Sequence, residues 1–355
     1  MFLFLLPVTL ATHDPSLLRA LKGCCCYDTV FPDFLTMSLL SVSDLHTYFF
    51  SNGTVTKAVD GVDFEIEKGE IFGLVGESGC GKTMTALSVM RLVPSPGKIV
   101  KGSIFFEGTD LVSLTGSDMQ LVRGNKIGMI FQEPLTSLNP VLRIGDQLSE
   151  GLIVHKGLSK EEARGISIGL LQKVGFDRAE QRYLQYPHQL SGGQRQRVLI
   201  AIAISCDPSL VIADEPTTAL DVTVEAQILR LLQQLISEYQ LSMLFITHNL
   251  NIIKRIGKAI GIMYAGRMVE KGRVDGFFAE PLHPYSKGLL DSIPEFSRER
   301  RRLRAIPGAV PKLSDLPPGC KFNPRCPYVM DKCKVDEPPM YTVRERRVRC
   351  YLYQS

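Results

Sequence analysis

The sequence contains no tryptophan and only 6 histidines. It also has no apolar run approaching the roughly 18 to 20 residues that a membrane-spanning helix needs. Any membrane role must therefore pass through a partner or through the surface, and a peripheral chain is expected. A strong charge bias is missing too: 41 Lys and Arg stand against 37 Asp and Glu, a formal net charge of +4. That excess is too small for a dedicated nucleic-acid binder, so no nucleic-acid partner is expected. The apolar start MFLFLLPVTL has no Lys or Arg ahead of it and is interrupted by Pro7, so it lacks the basic flank of a secretory signal. Residues 11–36 carry no helical or strand period, and Cys24, Cys25 and Cys26 stand in a row, too tight for a usual metal chelate. Residues 1–36 are expected to be an accessory or untranslated leader, with Met37 as an alternative start.

With 355 residues, 45% of them hydrophobic, the chain can bury one large core and still carry a smaller appended unit. From Ser38 the text alternates like strands, in SLLSVSDLHTYF and AVDGVDFEIEKGE, with Asp60-Gly61 and Lys68-Gly69 as turn signals. Ile71 to Val75 is a short apolar run ending in a glycine-rich loop, and Thr83 to Leu92 follows a helical period. Between Gly145 and Gln185, apolar residues recur at helical spacing, as in EEARGISIGLLQKVG. Apolar runs return at Leu210 to Ala213, Met243 to Thr247 and Ile260 to Met263, separated by helix-length sequence. That alternation predicts an α/β fold with a parallel sheet covered by helices on both faces. After Pro294 the character changes to the basic linker SRERRRLR and then to Pro- and Cys-rich text, where a small second domain is expected.

Gly76-Glu77-Ser78-Gly79-Cys80-Gly81-Lys82-Thr83 fits the phosphate-binding loop G-x-x-x-x-G-K-[ST] and lies between a predicted strand and helix. Glycines there let successive N–H groups turn onto phosphates. Lys82 neutralises the β and γ charge, and the Thr83 hydroxyl ligates Mg²⁺. SLVIADE at 209–215 is an apolar strand that delivers Asp214 and Glu215 at its C-terminal end, where open α/β sheets place their ligands. Asp214 is placed to hold Mg²⁺ through its water shell and Glu215 to polarise an attacking water.

Leu190-Ser191-Gly192-Gly193-Gln194, followed by Arg195, Gln196 and Arg197, puts a serine and two glycines at a helix N-terminus, a ready anion site. This segment resembles the signature of the ABC ATPase family, and the resemblance extends from Ser38 to about Pro294. It implies an ABC-type cassette at 37–294, with parallel core sheet, antiparallel β subdomain and a helical subdomain at about 133–205, followed by an extension at 295–355. It further implies that Ser191, Gly192, Gly193 and Gln194 bind the ATP held by a partner cassette, so that activity needs a head-to-tail dimer. Gln132 in FQEP matches the family's Q-loop, reaching Mg²⁺ and the attacking water. His248 in ITHN matches the switch histidine, and Asp221 the D-loop that crosses between subunits. Phe49 best matches the aromatic residue that stacks on adenine, with Tyr48 as competitor.

FQEPLTSLNP, HPYSKGLL at 283–290 and PGAVPKLSDLPPGCKFNPRCPYVMDKC at 307–333 are similar to ATP-binding subunits of oligopeptide and dipeptide importers. The expected partners are a second, distinct cassette, two transmembrane permeases, and an extracytoplasmic solute-binding protein acting through them. The expected place is the cytoplasmic face of the inner membrane. A nickel or other small-solute importer is the nearest alternative. A soluble ABC ATPase acting on DNA or ribosomes is opposed by the absence of a second cassette, coiled-coil insertion or internal zinc module. Intact Lys82, Asp214, Glu215 and His248 oppose a non-hydrolysing cassette. Cys320, Cys326, Cys333 and Cys350 are separated by five, six and sixteen residues. They leave open an iron–sulfur cluster, a Cys₄ zinc site, or unligated thiols. Structural zinc sites usually pair cysteines across about two to four residues, so the spacing leans towards a cluster. The importer resemblance supports [4Fe–4S], with Zn²⁺ the alternative.

Overall fold

The computed structural model describes residues 38–51, 53–218, 220–293 and 306–354. The expectations for residues 1–36 and for the basic run at 297–304 lie outside the described residues.

The alternating text after Ser38 forms β1 (Leu40–Ser51) and β2 (Thr54–Ile66), which pair antiparallel. With β4 (Gly97–Phe106) and β5 (Thr109–Asp110) they make a four-stranded sheet in the order β2-β1-β4-β5. Asp60-Gly61 does not end a strand as expected: β2 runs through it, opposite register shifts in β1. Gly61 takes φ +80°, and a Cβ there would lie 2.8 Å from Arg267 Nη1. The glycine thus admits the Arg267 guanidinium, whose Nη2 reaches Asp60 Oδ2 at 2.9 Å. Lys68-Gly69 does turn the chain, into β3 (Ile71–Val75), which is buried along its whole length.

A second sheet of eight strands surrounds β3. The remaining strands are β6 (Ile127–Ile130), β7 (Leu210–Asp214), β8 (Ser242–Thr247), β9 (Ala259–Tyr264), β10 (Arg267–Arg273), β11 (Tyr341–Val343) and β12 (Arg346–Val348). Their order is β11-β12-β10-β9-β3-β8-β7-β6. β9, β3, β8, β7 and β6 are mutually parallel. Strands buried on both faces read as continuous apolar runs, which is why four of these, β3, β7, β8 and β9, were legible as such. β10 joins β9 antiparallel, and β12 joins β10, so the C-terminal extension adds an edge to the same sheet. Helices Ile144–Lys156, Lys160–Lys173, Ala179–Tyr183 and Gly192–Ile204 supply the helical stretch. Ser159 starts the second of these with a capping box through Glu162. Helices Lys82–Val89, Val222–Tyr239 and Leu250–Ile256 follow β3, β7 and β8 in turn. The C-terminal ends of β3, β7 and β8 therefore open on one side of the sheet.

Candidate nucleotide site

At the end of β3 the loop 76–81 turns into the helix beginning at Lys82. Two of its glycines are required by close approach: a Cβ on Gly76 would lie 2.3 Å from the Met263 carbonyl, and one on Gly81 would lie 2.3 Å from that of Ala58. Gly81 also takes φ +107°, open to glycine alone at little cost. Cys80 is fully buried and its thiol is pushed up to about 11 by burial, so it fills space beneath the loop and is not a nucleophile. The Lys82 ammonium is folded along the loop, donating to Gly76 O at 2.9 Å and Glu77 O at 3.2 Å. It lies 3.7 Å from Glu215 Oε1.

The Thr83 hydroxyl donates to Asp214 Oδ1 at 3.2 Å, so the loop and the end of β7 meet directly. Asp214 is only 2% exposed, and burial foremost pushes its carboxyl up to about 6, with the Glu215 charge adding and Thr83 and Lys82 opposing. A divalent cation there would supply the missing countercharge and neutralise phosphate oxygens, and the donor set of Thr83 hydroxyl and Asp214 carboxylate suits Mg²⁺. Glu215 follows with φ +45°, a left-handed conformation uncommon for a side-chain-bearing residue, held by its N–H donating to Ile246 O at 3.0 Å. That turn aims its carboxylate across the strand ends. Glu215 Oε2 accepts from Thr218 Oγ1 at 2.8 Å and from Gln132 Nε2 at 3.4 Å, and lies 3.3 Å from His248 Nδ1.

Lys82, Thr83, Gln132, Asp214, Glu215 and His248 are thus brought together from four separate stretches of chain. The signature residues engage elsewhere. Ser191 caps the helix Gly192–Ile204: its Oγ accepts from the Gln194 N–H at 3.3 Å, and Gln194 Oε1 accepts from the Ser191 N–H at 3.0 Å. A Cβ on Gly193 would lie 2.5 Å from Val224 Cγ1, so the glycine is needed for close packing on the helix Val222–Tyr239. Ser191, Gly193, Gln194, Arg182 and Arg197 line an open cleft of about 250 Å³. Asp221 caps the helix Val222–Tyr239, accepting from Val224 N at 2.9 Å. On β1, Tyr48 is tied through its hydroxyl to Asp60 and His46, whereas the half-buried Phe49 ring lies against Gly97.

Sequence reasoning missed two residues that touch the loop. The Tyr285 hydroxyl accepts from the Glu77 N–H at 3.0 Å, and Arg325 pairs with the Glu77 carboxylate. The HPY and NPRC segments that carry them were visible, but not where they would land.

Cys320, Cys326, Cys333 and Cys350 are all free thiols lining one cavity, with His283, Pro284, Phe322 and Tyr351 around them. Burial pushes Cys320 up to about 12 and Cys350 up to about 11, and neighbouring thiols push the same way. Among the described residues, however, no group of three or more His, Cys, Asp or Glu is drawn together as ligands of one metal ion. The four thiols line one cavity without forming a site for a metal ion of any kind.

A phosphate loop, two carboxylates at the end of the adjoining parallel strand, and a serine-glycine signature capping a separate helix define the class as a P-loop ATPase of ABC type. The comparisons agree. Residues 59–218 match the ABC transporter family, and residues 269–333 match the oligopeptide/dipeptide transporter C-terminal region. An oligopeptide transport ATP-binding protein of Bacillus subtilis is 55% identical over 320 residues, covering 90% of this chain and 98% of that protein. A putative peptide import ATP-binding protein of Brucella ovis is 48% identical, covering 89% of this chain and 98% of its own length. Among solved structures, the cassette MJ0796, dimeric and bound to ADP and Pi, aligns with a TM-score of 0.60 at 26% identity, covering 66% of this chain and 98% of that one. The cassette cbiO1 from Clostridium perfringens aligns with a TM-score of 0.58 at 27% identity, covering 68% and 91%. The chain belongs to the ABC transporter ATP-binding proteins, in the group that carries the oligopeptide/dipeptide C-terminal region. It is an ATPase.

Proposed function

We propose that this chain energises import of di- or oligopeptides, hydrolysing ATP as one of two cassettes beneath a pair of membrane permeases. The observation that carries the cargo class is the C-terminal region at 269–333, matched to oligopeptide/dipeptide transporters, together with relatives named for peptide import over nearly their full length. Among the described residues no helix is long and apolar enough to cross a membrane, so attachment falls to the permeases. A docking face is available on the helical stretch. Val141 and Val154 are 76% and 69% exposed, and Leu142, Ile153 and Val154 line an open groove of about 350 Å³ there. Phe131 and Gln132 stand in the loop between that stretch and the catalytic carboxylate, a route by which permease movement reaches Glu215. A solute-binding protein outside the cytoplasmic membrane would deliver the peptide.

Within the site, Glu215 acts as general base on the attacking water, with His248 and Gln132 orienting its carboxylate. Residues 76–83 cradle the triphosphate, and Thr83, Asp214 and Gln132 hold Mg²⁺. Ser191, Gly192, Gly193 and Gln194, at a capped helix N-terminus, face the γ-phosphate of the ATP on the second cassette, and Asp221 lies at the subunit boundary. Phe49 stacks on adenine. The dimeric form of MJ0796 supports this arrangement. The four cysteines hold a [4Fe–4S] cluster. Four thiols around one cavity, Cys333 and Cys350 buried and Cys320 and Cys326 half-buried, suit a cationic iron core: burial disfavours a lone charge on Cys320, Cys326 and Cys350, and a cluster asks for wider sulfur spacing than one zinc ion.

Deletion of the gene tests the cargo. Cells auxotrophic for one amino acid should lose growth on a dipeptide that supplies it and keep growth on the free amino acid. Unchanged dipeptide growth with lost nickel uptake would move the assignment to the small-solute class. Purified with its partner cassette, the chain should hydrolyse ATP at a rate that collapses on dilution; full activity of an isolated monomer would refute the shared site.

A further inference from the structure

Glu77 is the second residue of the phosphate loop, and the C-terminal part of the chain closes on it from two directions. Arg325 Nη1 donates to Glu77 Oε2 at 2.7 Å and Arg325 Nη2 donates to Oε1 at 3.1 Å, a two-pronged fork across 248 residues of sequence. The Tyr285 hydroxyl meanwhile accepts from the Glu77 N–H at 3.0 Å. The Arg325 side chain is only 4% exposed. Its Nε donates to Pro307 O at 2.9 Å, and its guanidinium lies within 6 Å of both the Tyr264 and Phe322 rings. Tyr264, Tyr285 and Phe322 pack edge-on or tilted against one another, so both groups touching Glu77 stand on one aromatic cluster. Arg325 ends the short turn Asn323–Arg325 and directly precedes Cys326.

A carboxylate on a loop that must receive a triphosphate is a liability unless it is neutralised. Like charges within about 10 Å at an effective dielectric near 20 repel by enough to weaken binding roughly tenfold. The fork removes that charge and fixes the loop in one act, because a bidentate arginine sets orientation as well as distance. Lys82 donates to the carbonyl of the same Glu77, so displacement of this residue also disturbs the ammonium that meets the phosphates.

We propose that Arg325 is a positioning residue for ATP binding: it neutralises and anchors Glu77, and so makes the nucleotide affinity of the phosphate loop depend on the folded cysteine-bearing extension. The inference rests on residues 76–83 being the ATP site. A role confined to gluing the extension to the cassette predicts something different, since removing Glu77 would then do the same damage as removing Arg325.

The test titrates Mg·ATP calorimetrically into the full-length chain, in a Glu215→Gln background so that nucleotide is not consumed. Arg325→Ala should weaken binding roughly tenfold, and adding Glu77→Gln to it should restore affinity to within about threefold. Arg325→Lys, which keeps the charge without the fork, should fall between. With Glu215 intact, Arg325→Ala should raise KM for ATP and leave kcat at saturation unchanged. Affinity unchanged in Arg325→Ala, or a loss that Glu77→Gln does not relieve, would overturn the proposal. Should Arg325→Ala not fold, Arg325→Gln with and without Glu77→Gln makes the same comparison. Failure of the site assignment itself looks different: Lys82→Ala would then bind ATP as well as the parent chain.

Discussion

His248 Nδ1 lies 3.3 Å from Glu215 Oε2, an oxygen that also receives the Thr218 hydroxyl and the Gln132 amide. Three donors from three loops therefore fix one carboxylate oxygen, while Oε1 faces the Lys82 ammonium 3.7 Å away. Such a carboxylate is held in direction by the protein's own side chains. The left-handed backbone at Glu215 is consistent with this, since strain of that kind persists only where surrounding bonds over-determine it.

Glu215→Gln should therefore keep nucleotide binding and lower the single-turnover hydrolysis rate by roughly 10² to 10⁴, the contribution of a positioned general base. The amide preserves size and still accepts from Thr218, so folding should be intact. His248→Ala should lower the same rate with binding unchanged. Rapid-quench measurement of ADP formation, beside a binding titration, separates the two quantities. Hydrolysis at the parent rate in Glu215→Gln would remove Glu215 as the base.

Asp214 gives a pH-dependent prediction. Its carboxyl sits at about 6 in the folded chain, against an ordinary 3.8, because burial disfavours the charge. Between those values the folded state binds more protons than the unfolded state, so stability falls as pH rises through that window. Above it the buried charge costs on the order of 2–3 kcal/mol. Asp214→Asn should accordingly raise the unfolding free energy by about that amount at pH 7 in nucleotide-free, Mg-free protein, and the advantage should vanish below about pH 4. Denaturant melts of the two proteins at both pH values decide it. Equal stabilities at pH 7 would show that the carboxylate is not held at a cost.

What the sequence disclosed follows from range. The phosphate loop, the SLVIADE strand and the signature are local patterns whose geometry is set within ten residues, and each lies where the text placed it. β10 escaped because its central Glu270 reads as a surface charge. It is in fact 1% exposed, satisfied by the N–H groups of Leu282 and His283 at 3.0 and 2.8 Å. β11 and β12 have three residues each, too short to show a period. The Asp60-Gly61 turn signal misled because a bulge and a turn use the same glycine chemistry. Arg325 and Tyr285 reach Glu77 across 248 and 208 residues, and no local pattern encodes a contact of that span.

The four cysteines separate three outcomes by composition alone. A single zinc ion with sulfur ligands near 2.3 Å demands thiols within about 4 Å of one another, and among the described residues no group of three or more His, Cys, Asp or Glu is placed to hold a metal ion of any kind. The proposed [4Fe–4S] core needs four thiols around one space, and Cys320, Cys326, Cys333 and Cys350 line one small cavity. The Cys320 N–H donates to Cys333 O at 2.9 Å, and Gly319 takes φ +65° where a Cβ would lie 2.3 Å from that same carbonyl. The backbone thus already clasps two of the four positions together. Protein purified without oxygen should be brown and carry about four irons and four sulfides per chain. Cys320→Ser, Cys326→Ser should lose both and lower the melting temperature of a segment with little apolar core of its own. A colourless preparation with one zinc would replace the cluster by a four-thiolate ion site. Parent-like melting of the double variant, with no metal in either protein, would leave the cysteines as packing residues.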